Sequence, residues 1–124
     1  PDPPRPARDQ SLSRGAPAVT LINLTPRAIN LYRGRSIEEG PDEVIPPSGD
    51  VARIATIELG VSNGYELVEY GYANGLPARV QGVNYVVSLV VALAVHRDDL
   101  LAPWREVRNE QGTVIGCHAL QKVV

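Results

Sequence analysis

The sequence predicts an α+β fold: a mainly antiparallel β-sheet of about seven strands with one short helix, preceded by a disordered or extended N-terminal arm. Three observations carry this expectation. Several short segments alternate apolar and polar residues with the period of two that a half-buried strand requires. Gly, Pro, Asn and Asp interrupt those segments at short intervals, as turns do. One stretch alone, around Leu89 to Ala94, repeats its apolar residues at helical spacing. With 124 residues, 44% hydrophobic and 21% charged, the chain fits a single globular domain whose core needs no disulfide or metal.

Residues 1–17 hold five prolines, three arginines and almost no large apolar side chain. Such a segment buries too little surface to offset the entropy of ordering it, so it is read as an arm, and the domain as residues 18–124. "AVTLINLT" opens the fold as a strand, and "AINLY" follows as a second after a break at "TPR". "GRSIEEGPDEV" and "IPPSGD" are turn-rich and acidic. "VARIATIEL" is a third strand, with Val51, Arg53, Ala55 and Ile57 on one face, and "YELVEYGYA" is a fourth after the turn signal "SNG". "NGLPARVQG" is a loop leading into a fifth strand, "VNYVVSL". The β-branched valines before Ser88 favour strand and the alanines after it favour helix, so a junction belongs near Ser88 and the helix reaches about His96. "RDDLLAPW" ends the helix, and "WREVRNEQGTVIGCHAL" forms a closing hairpin around "NEQG", where Gly112 can take the positive φ of a turn.

Composition excludes several function classes. A net charge of −2 argues against a general nucleic-acid binder or a polybasic membrane module. The longest apolar run, Val83 to Val95, is 13 residues, short of the roughly 20 that a spanning helix needs. The polar, proline-rich start carries no secretory signal pattern. One cysteine, Cys117, allows no internal disulfide and fits a reducing compartment. His96 and His118 have no partners at metal-ligand spacing, and GxSxG, P-loop and GxGxxG patterns are absent, so no catalytic residue, metal ligand or cofactor is assigned. Cys117 and His118 are adjacent on a strand and point to opposite faces, which leaves Cys117 as a buried cysteine. Asp98 and Asp99 are either solvated or paired with Arg97.

Chemistry concentrates in the basic residues, of which all but Lys122 are arginine. The planar guanidinium fork suits bidentate contacts to phosphate, although an arginine bias in composition has bland origins too. Arg53 shares its strand face with apolar neighbours, so it needs an acidic partner, a hydrogen-bonded site or a ligand. Arg105 and Arg108 lie three apart in "REVR" and face opposite sides unless a bulge intervenes; pairing with Glu106 and Glu110 is the alternative to an anion site. Trp104, Tyr85 and the tyrosines at 65, 70 and 72 offer flat surfaces for a base, or simply core.

The segments "NLTPRAINLY", "IPPSGDVARI", "YVVSLVVA", "RDDLLAP" and "VRNEQGTVIGC" follow one another in an order and spacing that resembles the phage anti-Thoeris sponge family, over about residues 20 to 120. Its members sequester the cyclic ADP-ribose signal made by bacterial TIR-domain immune proteins. The resemblance implies a non-enzymatic immune-evasion protein acting in the cytoplasm of the infected bacterial host. It implies a homo-oligomer, dimer or hexamer, that holds glycocyclic ADP-ribose intact at subunit interfaces; family members also bind cyclic di- or trinucleotides. By position, Arg53 in "GDVARI" and Arg105 or Arg108 in "WREVR" would contact the pyrophosphate, with Arg97, Tyr85 and Ser88 completing the candidate ligand-binding set. Two positions depart from the family pattern: Arg27 stands where a His is expected and Leu89 where an Arg is expected, and Leu89 weakens the expectation of a cyclic oligonucleotide site. A phage structural or capsid-decoration protein and a small enzyme that degrades cyclic nucleotides are the competing classes.

Overall fold

The computed structural model describes residues 19–123, so the arm expected over residues 1–17 lies outside the described residues. Eight strands follow in order: β1 (Thr20–Asn23), β2 (Ile29–Leu31), β3 (Glu43–Ile45), β4 (Arg53–Ser62), β5 (Tyr65–Asn74), β6 (Val83–Val86), β7 (Leu100–Arg108) and β8 (Val114–Gln121). One α-helix, α1 (Leu89–Val95), and a 3-10 turn at Ile37–Glu39 complete the domain. The α+β class with a single α-helix is as the sequence predicts. The additional strand, β3, falls in the turn-rich acidic stretch and is only three residues long, too short for alternation to reveal it.

Six strands form one sheet in the order β1-β6-β7-β8-β2-β3, and β4 and β5 form a separate two-stranded ribbon. The longest ladders, β4/β5 and β7/β8, are antiparallel, while β1/β6, β6/β7 and β2/β8 are parallel, so the large sheet is mixed. Parallel neighbours need a crossover, and α1 supplies the one between β6 and β7. The crossover accounts for the apolar run around β6. A strand in a parallel arrangement is covered on both faces, and Tyr85, Val86 and Val87 are all buried in succession. It also moves the start of β7 back to Leu100, inside the stretch "RDDLLAPW", because Leu100 and Leu101 pair with Tyr85 and Val86.

The sheet closes on itself. Asn23 at the end of β1 bridges to Pro47, just beyond β3, and its carbonyl accepts the Ser48 N–H at 3.0 Å. Asn23 is 1% exposed yet fully satisfied: its amide donates to the carbonyls of Arg27 and Ile45, and its side-chain oxygen accepts from the backbone and hydroxyl of Thr25. Each of these bonds is worth about 1 kcal/mol net, but leaving a buried amide unmade would cost more.

The principal core lies between α1 and the sheet, where Val91 and Ala92 meet Leu24, Ala52, Tyr85, Val87, Leu100 and Ala102. Ser88 occupies the N-cap position in an extended conformation without a side-chain capping bond, and His96 ends the helix in the left-handed region with its N–H donating to the Ala92 carbonyl. A smaller cluster of Leu31, Ile45 and Cys117 sits across β2, β3 and β8. There β8 passes so close to β2 that a Cβ on Gly116 would collide with the Asn30 carbonyl and the Tyr32 ring. No helix among the described residues is long and apolar enough to cross a membrane.

Candidate functional site

An open cleft of about 1010 Å³ runs along the outer side of β2, β7 and β8. The β1–β2 loop contributes Thr25, Pro26 and Arg27; the start of α1 contributes Ser88 and Leu89; β7 contributes Pro103 to Glu106; and β8 contributes Gly116, Cys117 and Gln121. Pockets that hold nucleotide-sized ligands fall in the range of roughly 300–1,000 Å³, so the cleft accommodates such a molecule.

Its distinctive feature is a break in β7. Leu100 and Ala102 are buried, which places even-numbered residues inward, but further along the strand it is Val107 that is buried. Arg105 interrupts the regular alternation with a left-handed φ of 61°, and the register with β8 shifts between Val107 and Arg108. A non-glycine residue in that conformation costs roughly 1–2 kcal/mol, and such costs concentrate where a backbone must present side chains in a set direction. Here the result is that Trp104, Arg105 and Glu106 are all exposed in succession. The Arg105 guanidinium lies over the Trp104 ring, 4.4 Å from its centroid, and the pair forms a cationic and aromatic wall of the cleft.

The charges divide into committed and available groups. Arg97 holds Asp99 with two hydrogen bonds, at 2.9 and 2.6 Å, and donates a third to the Pro77 carbonyl. Arg108 pairs with Glu106 at 2.8 Å and donates to the Gly112 carbonyl, so the acid on the cleft rim is already neutralised. Arg79 pairs with Asp98, Arg33 with Glu43 and Arg35 with Asp42. Among the described residues Arg27, Arg53 and Arg105 make no ion pair, and two of these three line the cleft. Burial pushes the Cys117 thiol above its ordinary range, so at neutral pH the sulfur in the cleft wall is a protonated thiol and a poor nucleophile. Among the described residues no three of His, Cys, Asp and Glu are grouped to hold a metal ion.

Of the six candidates read from the sequence, the structure brings Ser88 and Arg105 to the cleft and places the others elsewhere. Arg53 is exposed at the root of the β4–β5 ribbon instead of sharing a buried face. Alternation on β4 reads as a half-buried strand, but most of the ribbon projects from the body and buries neither side. Tyr85 is 3% exposed and its hydroxyl donates to the Ala78 carbonyl, so it is a core residue and offers no stacking face. Arg97 and Arg108 serve the internal pairs described above. Sequence reasoning left Arg27 and Trp104 out of the ligand-binding set. The signals for them were the break "TPR", which lifts Arg27 off the strand, and the adjacency of the lone tryptophan to an arginine. Leu89 and Arg27 line the same cleft.

Comparison of the chain with protein-family models, with curated proteins and with solved structures returned no match.

Proposed function

We propose that this chain is a non-enzymatic binder that captures a cyclic ADP-ribose signal, of the glycocyclic type made by TIR-domain immune proteins, and holds it uncleaved. The observation that carries the reading is the left-handed Arg105 stacked on Trp104 in a cleft that it shares with Arg27, neither arginine having an ion-pair partner among the described residues. A pyrophosphate bridged by two guanidinium forks and an adenine laid on the exposed indole use the groups present. The family resemblance supplies the choice among nucleotide ligands. On this reading the protein is phage-encoded, acts in the cytoplasm of the infected bacterium, and requires affinity and copy number instead of a nucleophile or base. Leu89 gives the cleft an apolar rim where the family pattern has a charge, which favours the dianionic ligand over a cyclic oligonucleotide with more phosphates.

The test is capture and release. Purified protein incubated with cyclic ADP-ribose isomers and cyclic dinucleotides is washed, heated and centrifuged, and the supernatant is weighed by mass spectrometry. Unmodified ligand is expected, with loss of at least about tenfold in affinity for Arg105→Ala and for Arg27→Ala, because charge-assisted bonds to phosphate are worth roughly 1.5–3 kcal/mol each. Loss on Arg53→Ala with both cleft variants intact would move the site to the ribbon root at a subunit interface. Hydrolysed product would instead identify an enzyme. A second reading, a phage structural protein, is favoured by the exposed apolar ribbon; it predicts association with purified particles and no capture of any nucleotide.

A further inference from the structure

We propose that one face of the β4–β5 ribbon is a seat for the proline-rich N-terminal arm of the same chain, which lies on it in polyproline II conformation. The inference stands apart from the ligand reading and uses none of the cleft residues.

At its root the ribbon is anchored, since Ala52 is buried and Ile54 packs on the main core. Beyond the root the two strands leave the body. Reading the register outward, Thr56 pairs with Tyr70, Glu58 with Val68 and Val61 with Glu66. Residues directly opposite share a side of the ribbon, as do residues two apart on one strand, so Tyr70, Val68, Val61, Glu58 and Glu66 form one surface. Its apolar members are 47% to 71% exposed. Among the described residues neither Glu58 nor Glu66 makes an ion pair. A two-stranded hairpin is marginal in water on its own, so a ribbon carrying an aromatic and aliphatic strip gains stability from cover.

Charge and spacing select the occupant. The arm begins "PDPPRPARD". Proline fixes φ and cannot donate to a strand ladder, so such a segment covers a surface as a polyproline II helix and not as a third strand. With three residues per turn, Pro3 and Pro6 fall on one edge, Arg5 and Arg8 on a second and Ala7 on the third. One such turn sets Arg5 and Arg8 about 9 Å apart. On the ribbon, Glu58 adjoins Val68, which is two residues from Glu66, so the two acids stand about 8 Å apart. Arg8 on Glu58 and Arg5 on Glu66 therefore match in sign and in spacing, and they set Pro6 over Val61 and Val68 with Tyr70 within reach of the Arg8 guanidinium. Proline-rich segments dock on aromatic surfaces in this manner. The arm's own acids, Asp2 and Asp9, fall outside the segment from Pro3 to Arg8.

The chain is long enough to make the contact. From Val19 the strand path follows β1 to Leu24, crosses to Ala52, whose N–H donates to the Leu24 carbonyl at 2.9 Å, and runs out along β4 to Glu58. That path is at most about 40 Å. The segment from Val19 back to Arg8 spans roughly 36 to 40 Å when extended, and the Arg8 and Glu58 side chains add further reach. Exposed ion pairs are individually weak, but tethering supplies an effective concentration on the order of millimolar, so a weak seat is still filled.

A nitroxide attached to Ala7→Cys in the full chain tests the proposal, since Cys117 is buried and does not compete for the label. In isotope-labelled protein the amide signals of Glu66, Val68 and Tyr70 are expected to lose most of their intensity, and to regain it when the nitroxide is reduced. Arg5→Glu with Arg8→Glu should return most of that intensity, and Glu58→Arg with Glu66→Arg added to them should remove it again. Full intensity in the Ala7→Cys protein overturns the proposal, as does a loss that charge reversal in the arm leaves unchanged. Mixing nitroxide-bearing protein without isotope into isotope-labelled protein without nitroxide separates the two sources of an arm. Unchanged ribbon signals are expected, and broadening in the mixture would assign the face to another copy's arm and overturn the proposal too. The arm variants lie outside the domain of residues 18–124, so they decide the matter even if the ribbon variants lose their fold.

Discussion

Arg105 carries two opposed demands. Its left-handed backbone disfavours any side chain with a Cβ, whereas its guanidinium forms the wall of the cleft over Trp104. Glycine has no such penalty, so Arg105→Gly should stabilise the fold by about 1 kcal/mol while abolishing capture of the ligand. Chemical denaturation, read beside a binding measurement on the same sample, checks both halves. A gain in stability with retained binding would remove Arg105 from the site. The candidate site was legible in the sequence only in part for the same reason. That "REVR" held a candidate arginine followed from its position in the resemblance, but which of the two faces the cleft depends on the left-handed backbone of Arg105, which alternation takes for regular strand. Arg97 and Arg108 look identical to Arg105 in the sequence and differ in their partners, Asp99 and Glu106, which only the folded geometry assigns.

The elements show where pattern reading succeeds and where it stops. The junction at Ser88, the helix ending at His96 and the hairpin around Gly112 were all legible, because each depends on neighbours in the chain: a change of period, a cap, a turn glycine. What depends on distant strands was not. β3 is recognised as a strand by its pairing with β2, and β8 is locked against β2 by the bare backbone of Gly116. Gly116→Ala should therefore cost about 2 kcal/mol, since the Asn30 carbonyl and the Tyr32 ring can withdraw only by disturbing β2. A urea titration with an unchanged slope and a lower midpoint would show it; an unaltered midpoint would mean that β8 and β2 are less closely joined. The ribbon misled the reading of Arg53 in the opposite way, because a strand with the alternation of a half-buried element projects without a body beneath it.

Across the whole molecule, the response to acid includes the contribution of the Arg97–Asp99 pair. The guanidinium of Arg97 beside Asp99 holds that carboxyl below its ordinary range, against the opposing effect of its burial. A carboxyl lowered on folding adds stability that is fully present above its unfolded value, near 3.9, and is lost as pH falls from there through the folded value. Asp42 is lowered as well, chiefly by the Arg33 backbone N–H, and acts in the same direction. Asp99→Asn should lower stability at pH 7 by about 3 kcal/mol, because Arg97 is left without its counterion, and should flatten the decline of stability below pH 4. Denaturation midpoints measured from pH 7 to pH 3 compare the two proteins. The position of β8 has a consequence for how the protein is made. Its residues are the last of the described strands to be synthesised, yet they lie between β7 and β2 at the middle of the sheet order. While the ribosome is still adding them, β2 and β3 reach the rest of the sheet only through the contacts of Asn23 with Ile45, Pro47 and Ser48, and the pairing of β1 with β6 already spans about half of the chain. The sheet is thus completed only once β8 has emerged, and the strands made earlier wait for it.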